Sequence, residues 1–186
     1  MEPVERAEEV ARAANPDARV VYVDLDPVAI VHARALLAET EGCEAILADL
    51  RSPASVLDHP LLRATLDFTR PIAVLMFAVL HSVPDDASPG LIVRDYLDSV
   101  ADGSYFAISH AVPDPEDPAT QLDAARSYAA RTGIPFVTRT PDEIGRLIGG
   151  LEPVPPGLVP IERWHPDPLV APRANPMVYG GPARKG

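Results

Sequence analysis

Residues 19–27 read Arg-Val-Val-Tyr-Val-Asp-Leu-Asp-Pro, and this stretch decides the fold. Arg19–Val23 is a short β-branched run without polar alternation, the pattern of a strand buried on both faces. Two aspartates and a leucine end it. Asp26 is a good helix N-cap, and Pro27 suits the first helical position, where its missing N–H costs nothing. A helix is expected to about Glu41, with Val28, Val31 and Ala35 on one face and Ile30 and Leu37 widening it. Gly42 stops it. The unit is therefore strand, acidic turn, helix.

The same grammar runs outward from it. Upstream, residues 2–14 carry Val4, Ala7, Val10, Ala11 and Ala14 at helical spacing. Downstream, Glu44–Ala48 predicts a second strand ending at Asp49-Leu50, followed by a short helix over Pro53–Asp58 and irregular chain to Thr69. Pro71–Phe77 is the most apolar strand, and Leu91, Tyr96, Leu97 and Val100 mark a helix reaching Ala101. Ser104–Ser109 predicts a fourth strand ending at His110, and residues 117–132 another amphipathic helix. Thr140-Pro141-Asp142-Glu143 is a capping box with proline at the first helical position. Leu151–Trp164 and Asn175–Tyr179 read as two late strands pairing at a sheet edge, and the last six residues are expected to fray. Strands alternating with helices predict one α/β domain over residues 1–186, with a mostly parallel sheet.

Composition narrows the classes. The chain has 186 residues, 47% of them hydrophobic, enough for a real core. Its longest apolar run, Ile72–Leu80, is far short of the ~20 residues that span a bilayer. The net charge of −11 argues against a general grip on nucleic acid, where Lys and Arg must neutralise phosphates. One cysteine, Cys43, makes no internal disulfide. Met1 leads into acidic sequence and not a basic, then apolar, leader, so a cytoplasmic protein is expected. Proline reaches 22 residues, and of 16 Lys and Arg residues all but Lys185 are arginine, the dialect of a GC-rich bacterial genome.

In parallel sheets ligands sit at the carboxyl ends of strands. Asp24 can accept from both hydroxyls of a ribose, or Asp24 and Asp26 can simply cap the next helix, a role that needs only one of the pair and that suits Asp26. Asp49 at the next strand end can accept from a nucleobase amino group while Leu50 covers the ring, or it can close a turn. His81, in Val79-Leu80-His81-Ser82-Val83-Pro84-Asp85, can act as a base or donor, or can satisfy nearby backbone. His110 carries the same two readings; His32 and His59 read as surface residues. No C-x-x-C, H-E-x-x-H, G-x-S-x-G or phosphate-loop motif occurs, and no metal site is expected.

The ordered pieces VVYVDLDPVAIVHARALL, ILADLRSP, PIAVLMFAVLHSVPDD, DGSYFAISHA and MVYGG together resemble the bacterial S-adenosyl methyltransferase family, formerly a domain of unknown function, within the Rossmann-like class I methyltransferases. The resemblance spans about Asn15 to Tyr179. It implies a mostly parallel sheet with a late antiparallel strand, S-adenosyl-L-methionine as cofactor and methyl transfer to an acceptor, most simply a small molecule. It places Asp24 at the cofactor ribose and Asp49 at the adenine amino group, with Leu25 and Leu50 packing on the ring. Phe77 and Ala78 would lie near the methionine part, and His81 at the methyl-transfer face.

One departure stands out. Family members begin with a strand and a glycine-rich loop, and here no glycine occurs before Gly42. The domain is thus expected to be N-terminally incomplete, either by loss or because the start lies upstream of Met1. An empty buried slot would leave unpaired N–H and C=O groups at ~1–3 kcal/mol each, so strands 19–24 and 71–77 are expected to pair directly. Two other functions compete with methyl transfer. The fold could persist as a non-catalytic remnant without cofactor. Asp24 and Asp26 after a buried strand also resemble the nucleophile motif of haloacid-dehalogenase-like phosphohydrolases, but the lysine and later acidic pair of that class are missing in the required order.

Overall fold

The computed structural model describes residues 6–164, 166 and 176–186, and the chain divides into two compact units, Met1–Phe68 and Thr69–Gly186.

The first unit runs α1 (Ala7–Ala14), β1 (Val20–Asp24), α2 (Pro27–Leu37), β2 (Cys43–Leu47), α3 (Pro53–Leu57) and α4 (Pro60–Thr65). β1 and β2 are parallel, in register from Val20 opposite Cys43 to Asp24 opposite Leu47. The strand, acidic turn and helix read from residues 19–27 are all present. Asp26 caps α2, its Oδ1 accepting from the Val28 amide at 2.8 Å, and Pro27 opens the helix. The helix ends earlier than expected, at Leu37, and its buried face differs from the predicted one. Ile30, Ala33 and Leu37 share a face at i, i+3 and i+7 and pack against Cys43 and Ala45 of β2, with Val20 and Tyr22 alongside. Burying Ile30 and Leu37 is worth about 1.5–3 kcal/mol each, and the geometry of β2 selects them over Val28 and Val31, which stay exposed.

Three other expectations are corrected in this unit. β1 is not buried on both faces, because Val23 and Asp24 are exposed. The chain after α3 is not irregular: Pro60 starts α4, and the His59 Nδ1 accepts from the Leu61 amide at 3.2 Å, so His59 is a helix cap. A six-residue helix is too short to show a period in sequence. At the N-terminus, Arg6 is extended and α1 starts at Ala7, and the expected helical residues 2–5 lie outside the described residues.

The second unit runs β3 (Ala73–Phe77), α5 (Pro89–Ser99), β4 (Tyr105–Ala111), α6 (Pro118–Thr132), α7 (Pro141–Leu147), β5 (Glu152–Pro153), β6 (Val159–Pro160) and β7 (Val178–Arg184), with a 3-10 turn at Leu80–Ser82. Its sheet has the order β3-β4-β7-β5, and β6 joins β5 on the outer edge of β7. β3 and β4 are parallel and the late pairings are antiparallel, as expected. Phe106 and Ile108 of β4 are wholly buried, together with Val93 of α5 and Ile144 of α7. Truncating such a phenylalanine typically costs ~3–5 kcal/mol. The capping box holds: the Thr140 amide donates to Glu143 Oε2 at 2.8 Å and the Glu143 amide to Thr140 Oγ1 at 3.3 Å.

The late strands differ in detail from the reading. Strand pairing in residues 151–164 is confined to two short pieces, and β7 starts later and runs to Arg184. The predicted strand start at Asn175 and the unassigned His165 lie outside the described residues. The C-terminus does not fray. The Lys185 ammonium donates to the carbonyls of Leu97 and Val100 at 2.9 and 2.8 Å, satisfying the end of α5. β7 also needs glycine: a Cβ on Gly181 would sit 2.3 Å from the Gly157 carbonyl oxygen.

The expected direct pairing of strands 19–24 and 71–77 is not among the strand pairings of the described residues. Among the described residues β1 pairs with β2 alone and β3 with β4 alone. The penalty behind that expectation applies only to buried backbone. Val23 and Asp24 of β1 are exposed, as are Ala73, Leu75 and Phe77 of β3. Backbone open to water at such positions carries no penalty of that kind.

Candidate functional site

In the first unit the strand ends bring Asp24, Leu25, Asp49 and Leu50 to one rim. Asp24 is the last residue of β1, and the Ala48 amide donates to its carbonyl at 3.0 Å, so Asp49 follows directly on the neighbouring strand. Asp24 Oδ1 accepts from the Asp26 amide at 2.8 Å. This is the turn role, and it uses one oxygen of the carboxylate. Oδ2 has no partner among the described residues, so the turn leaves one acceptor open. Leu25 is 54% exposed beside it, an apolar surface next to an open acceptor.

Asp49 is engaged differently. Its Oδ1 accepts from the Arg51 amide at 2.9 Å and from the Arg51 Nε at 3.0 Å, while Oδ2 accepts from Nε at 2.9 Å and Nη2 at 2.6 Å. The guanidinium holds the Asp49 carboxyl below its ordinary range, chiefly through these hydrogen bonds. A carboxylate offers about four lone-pair positions, so Arg51 must yield part of its fork before a further donor can be accepted.

In the second unit β3 ends at Phe77, a residue 51% exposed, and the chain turns at Ala78 with φ +52°. A left-handed conformation costs a non-glycine residue roughly 1–2 kcal/mol. It is held because the Ala78 amide donates to both the carbonyl and the hydroxyl of Ser109, at 3.1 and 3.0 Å. Backbone strain maintained at a strand end is a recurrent mark of functional sites.

His81 lies in the 3-10 turn just beyond. Its ring centroid is 4.6 Å from Phe136 and 6.1 Å from His110, with the second pair edge-on. The Val137 amide donates to its carbonyl at 2.7 Å. Its Nδ1 is buried and has no partner among the described residues. Burial, with the Arg139 charge nearby, pushes the His81 imidazole below the ordinary histidine range, so it is neutral at pH 7. His110 is wholly buried and also pushed down, first by burial. It contacts its own strand end and Arg139, and thus fills the backbone-satisfying role.

Sequence reasoning missed Arg139, Arg51 and Ser109 Oγ as working parts of these sites. Ser109 stood at a strand end and was visible there. Arg51 lies two residues from Asp49 and its pairing could have been read locally. Arg139 carries no local signal, since its partners lie 29 to 59 residues away.

A family model described as S-adenosyl methyltransferase matches residues 3–186. The structure resembles that of a candidate methyltransferase from Thermobifida fusca, with TM-score 0.88 and 38% identity, over 100% of this chain and 70% of that one. It also resembles a DUF574 family protein from Streptomyces avermitilis, with TM-score 0.86 and 40% identity, over 96% of this chain and 69% of that one. The N-methyltransferase NodS from Bradyrhizobium japonicum, in complex with S-adenosyl-L-homocysteine, gives TM-score 0.54 at 14% identity, over 90% of this chain and 66% of that one, a likeness of fold alone. No protein of curated function matches. The α/β arrangement, parallel early and antiparallel late, is the one found in class I methyltransferases.

Proposed function

The chain belongs to the S-adenosyl methyltransferase family, and from that premise we propose that it moves the methyl group of S-adenosylmethionine to a small-molecule acceptor, both units serving one methyltransferase domain. The observation that carries this reading is Asp24: an exposed carboxylate at the end of a parallel strand, one oxygen fixed by the Asp26 amide and the other open. That oxygen suits the hydroxyls of a ribose. Leu25 and Leu50 supply apolar cover for an adenine ring, and Asp49 accepts from its amino group once Arg51 gives way. Phe77 and the strained Ala78 line the methionine part.

When bound, S-adenosylmethionine supplies an electrophilic methyl on a positively charged sulfur. A neutral His81 suits that neighbourhood, because it adds no like charge and its imidazole can accept or donate one hydrogen bond to an acceptor. Methyl transfer of this kind draws mainly on alignment, which can supply ~7–11 kcal/mol of the barrier, so no strong base is required of this chain. The net charge of −11 favours a small molecule over nucleic acid as acceptor.

Titration calorimetry with S-adenosylhomocysteine tests the proposal. Micromolar binding that Asp24→Ala abolishes supports it. Absence of heat at millimolar ligand supports a fold retained without cofactor binding.

A further inference from the structure

Arg139 has no part in the reading above, yet it is only 4% exposed and its guanidinium bonds in several directions. Nε and Nη2 donate to Asp85 Oδ1 at 3.2 and 2.6 Å. Nη2 also donates to the Val83 carbonyl at 2.8 Å, and Nη1 to the Leu80 carbonyl at 3.0 Å. Nη1 further lies 2.9 Å from His110 Nε2. The His110 Nδ1 is 2.8 Å from the Ala111 carbonyl, which can only accept. Nδ1 therefore carries the proton, and the Nε2 lone pair faces the guanidinium. Every hydrogen bond at this centre has a donor and an acceptor only with His110 neutral.

The backbone around Arg139 repeats the connection. Its own amide donates to the Ala111 carbonyl at 3.1 Å, and the Val137 amide to the His81 carbonyl at 2.7 Å. One side chain thus ties together the loop from Leu80 to Asp85, the end of β4 and the segment leading into α7. The Asp of the Val83-Pro84-Asp85 motif has its partner here. A planar fork of five N–H donors can make these bonds at once, and an ammonium on a flexible stem cannot.

We propose that Arg139 is a positioning residue, whose guanidinium locks the Leu80–Asp85 loop to the end of β4 and so sets where the His81 imidazole stands. The significance of that placement for methyl transfer rests on the function proposed above; the lock itself does not. Among the described residues, the titratable and charged groups around His81 are His110 from β4 and Arg139 from the segment before α7, with Asp85 on the far side of the guanidinium.

The test is imidazole NMR across pH, with amide hydrogen exchange, on the full chain and on Arg139→Lys and Arg139→Met. In the unsubstituted protein His110 should show the Nδ1–H tautomer, and the Ser82 and Val83 amides should be protected. In Arg139→Lys, still folded by circular dichroism, those amides should exchange about tenfold faster or more, and His81 should titrate closer to an ordinary histidine. A folded Arg139→Lys with unchanged exchange and an unchanged His81 titration overturns the proposal. If both variants unfold, the unsubstituted protein decides: Ser82 and Val83 amides exchanging as in a free chain, or His110 in the other tautomer, also overturn it. Failure to bind S-adenosylhomocysteine would count against the proposed function and leave these NMR results standing.

Discussion

At the end of β1 a carboxylate stands in solvent, tied by one hydrogen bond to an amide two residues away. Beyond the end of β3 two histidines and an arginine lie together, the arginine bonded to His110 and to the backbone of Leu80 and Val83, 29 to 59 residues away. Both places lie where a parallel sheet presents its ligand residues, but they are built for different work. The first spends little of its hydrogen-bonding capacity on the fold and keeps an acceptor open. The second commits Arg139 and His110 to holding a loop still. Changes at the first should therefore alter binding with little effect on folding, and changes at the second should alter folding first.

The largest expected effect is on stability. Arg139→Met leaves the Leu80 and Val83 carbonyls without their partner, at ~1–3 kcal/mol each, and should lower unfolding free energy by about 3–5 kcal/mol in denaturant titration. Asp24→Ala should stay within ~0.5 kcal/mol, as expected of an exposed polar group. Comparable losses from the two would erase the contrast.

A smaller effect is expected from pH. His110 and His81 are both pushed below the ordinary value of 6.5 in the folded chain, so between that value and their depressed values the unfolded chain binds more protons. Stability from these groups is fully present above pH 6.5 and declines as pH falls from there. His110→Gln, whose amide can offer an acceptor to Arg139 without titrating, should flatten the decline in thermal unfolding between pH 7 and 5. An unchanged slope would show that His110 contributes none of it.

Smaller again is the effect of Arg51→Ala. Freed from its fork, Asp49 should titrate closer to an ordinary aspartate, and S-adenosylhomocysteine affinity should rise about two- to fivefold, the worth of an exposed ion pair. A drop in affinity would mean that Arg51 itself serves the ligand. Least of all, Ala78→Gly should change stability by no more than ~1 kcal/mol, because relief of the left-handed strain is offset by the freer unfolded chain; Ala78→Val should be clearly destabilising.

The same contrast explains what could be read without a structure. Asp26, Pro27 and the Thr140–Glu143 box announce helix starts within four residues, and all were legible. So were β1 to β4, because each is a short, largely apolar run, whereas the late strands, two of them only two residues long and the last built on Gly180-Gly181-Pro182, carry no such pattern. The stripe on α2 was misread because periodicity says that a face is apolar, while the partner strand decides which apolar face is buried. Lys185 beneath the end of α5 and Arg139 between loop and strand both depend on contacts far along the chain, whereas the His59 cap is local but heads a helix too short to show a period. Asp24 and Asp49 could be nominated from their strand-end positions, whereas Arg139, which gives the His81 loop its rigidity, left no trace in local pattern.

The measurement that bears most directly on this account is an amide chemical-shift map of the protein titrated with S-adenosylhomocysteine. The predicted result is saturable shifts at Asp24–Leu25, at Asp49–Leu50 and at Phe77–Ala78, with one common dissociation constant, all lost in Asp24→Ala. Shifts absent from these strand ends, or unaffected by Asp24→Ala, would contradict it.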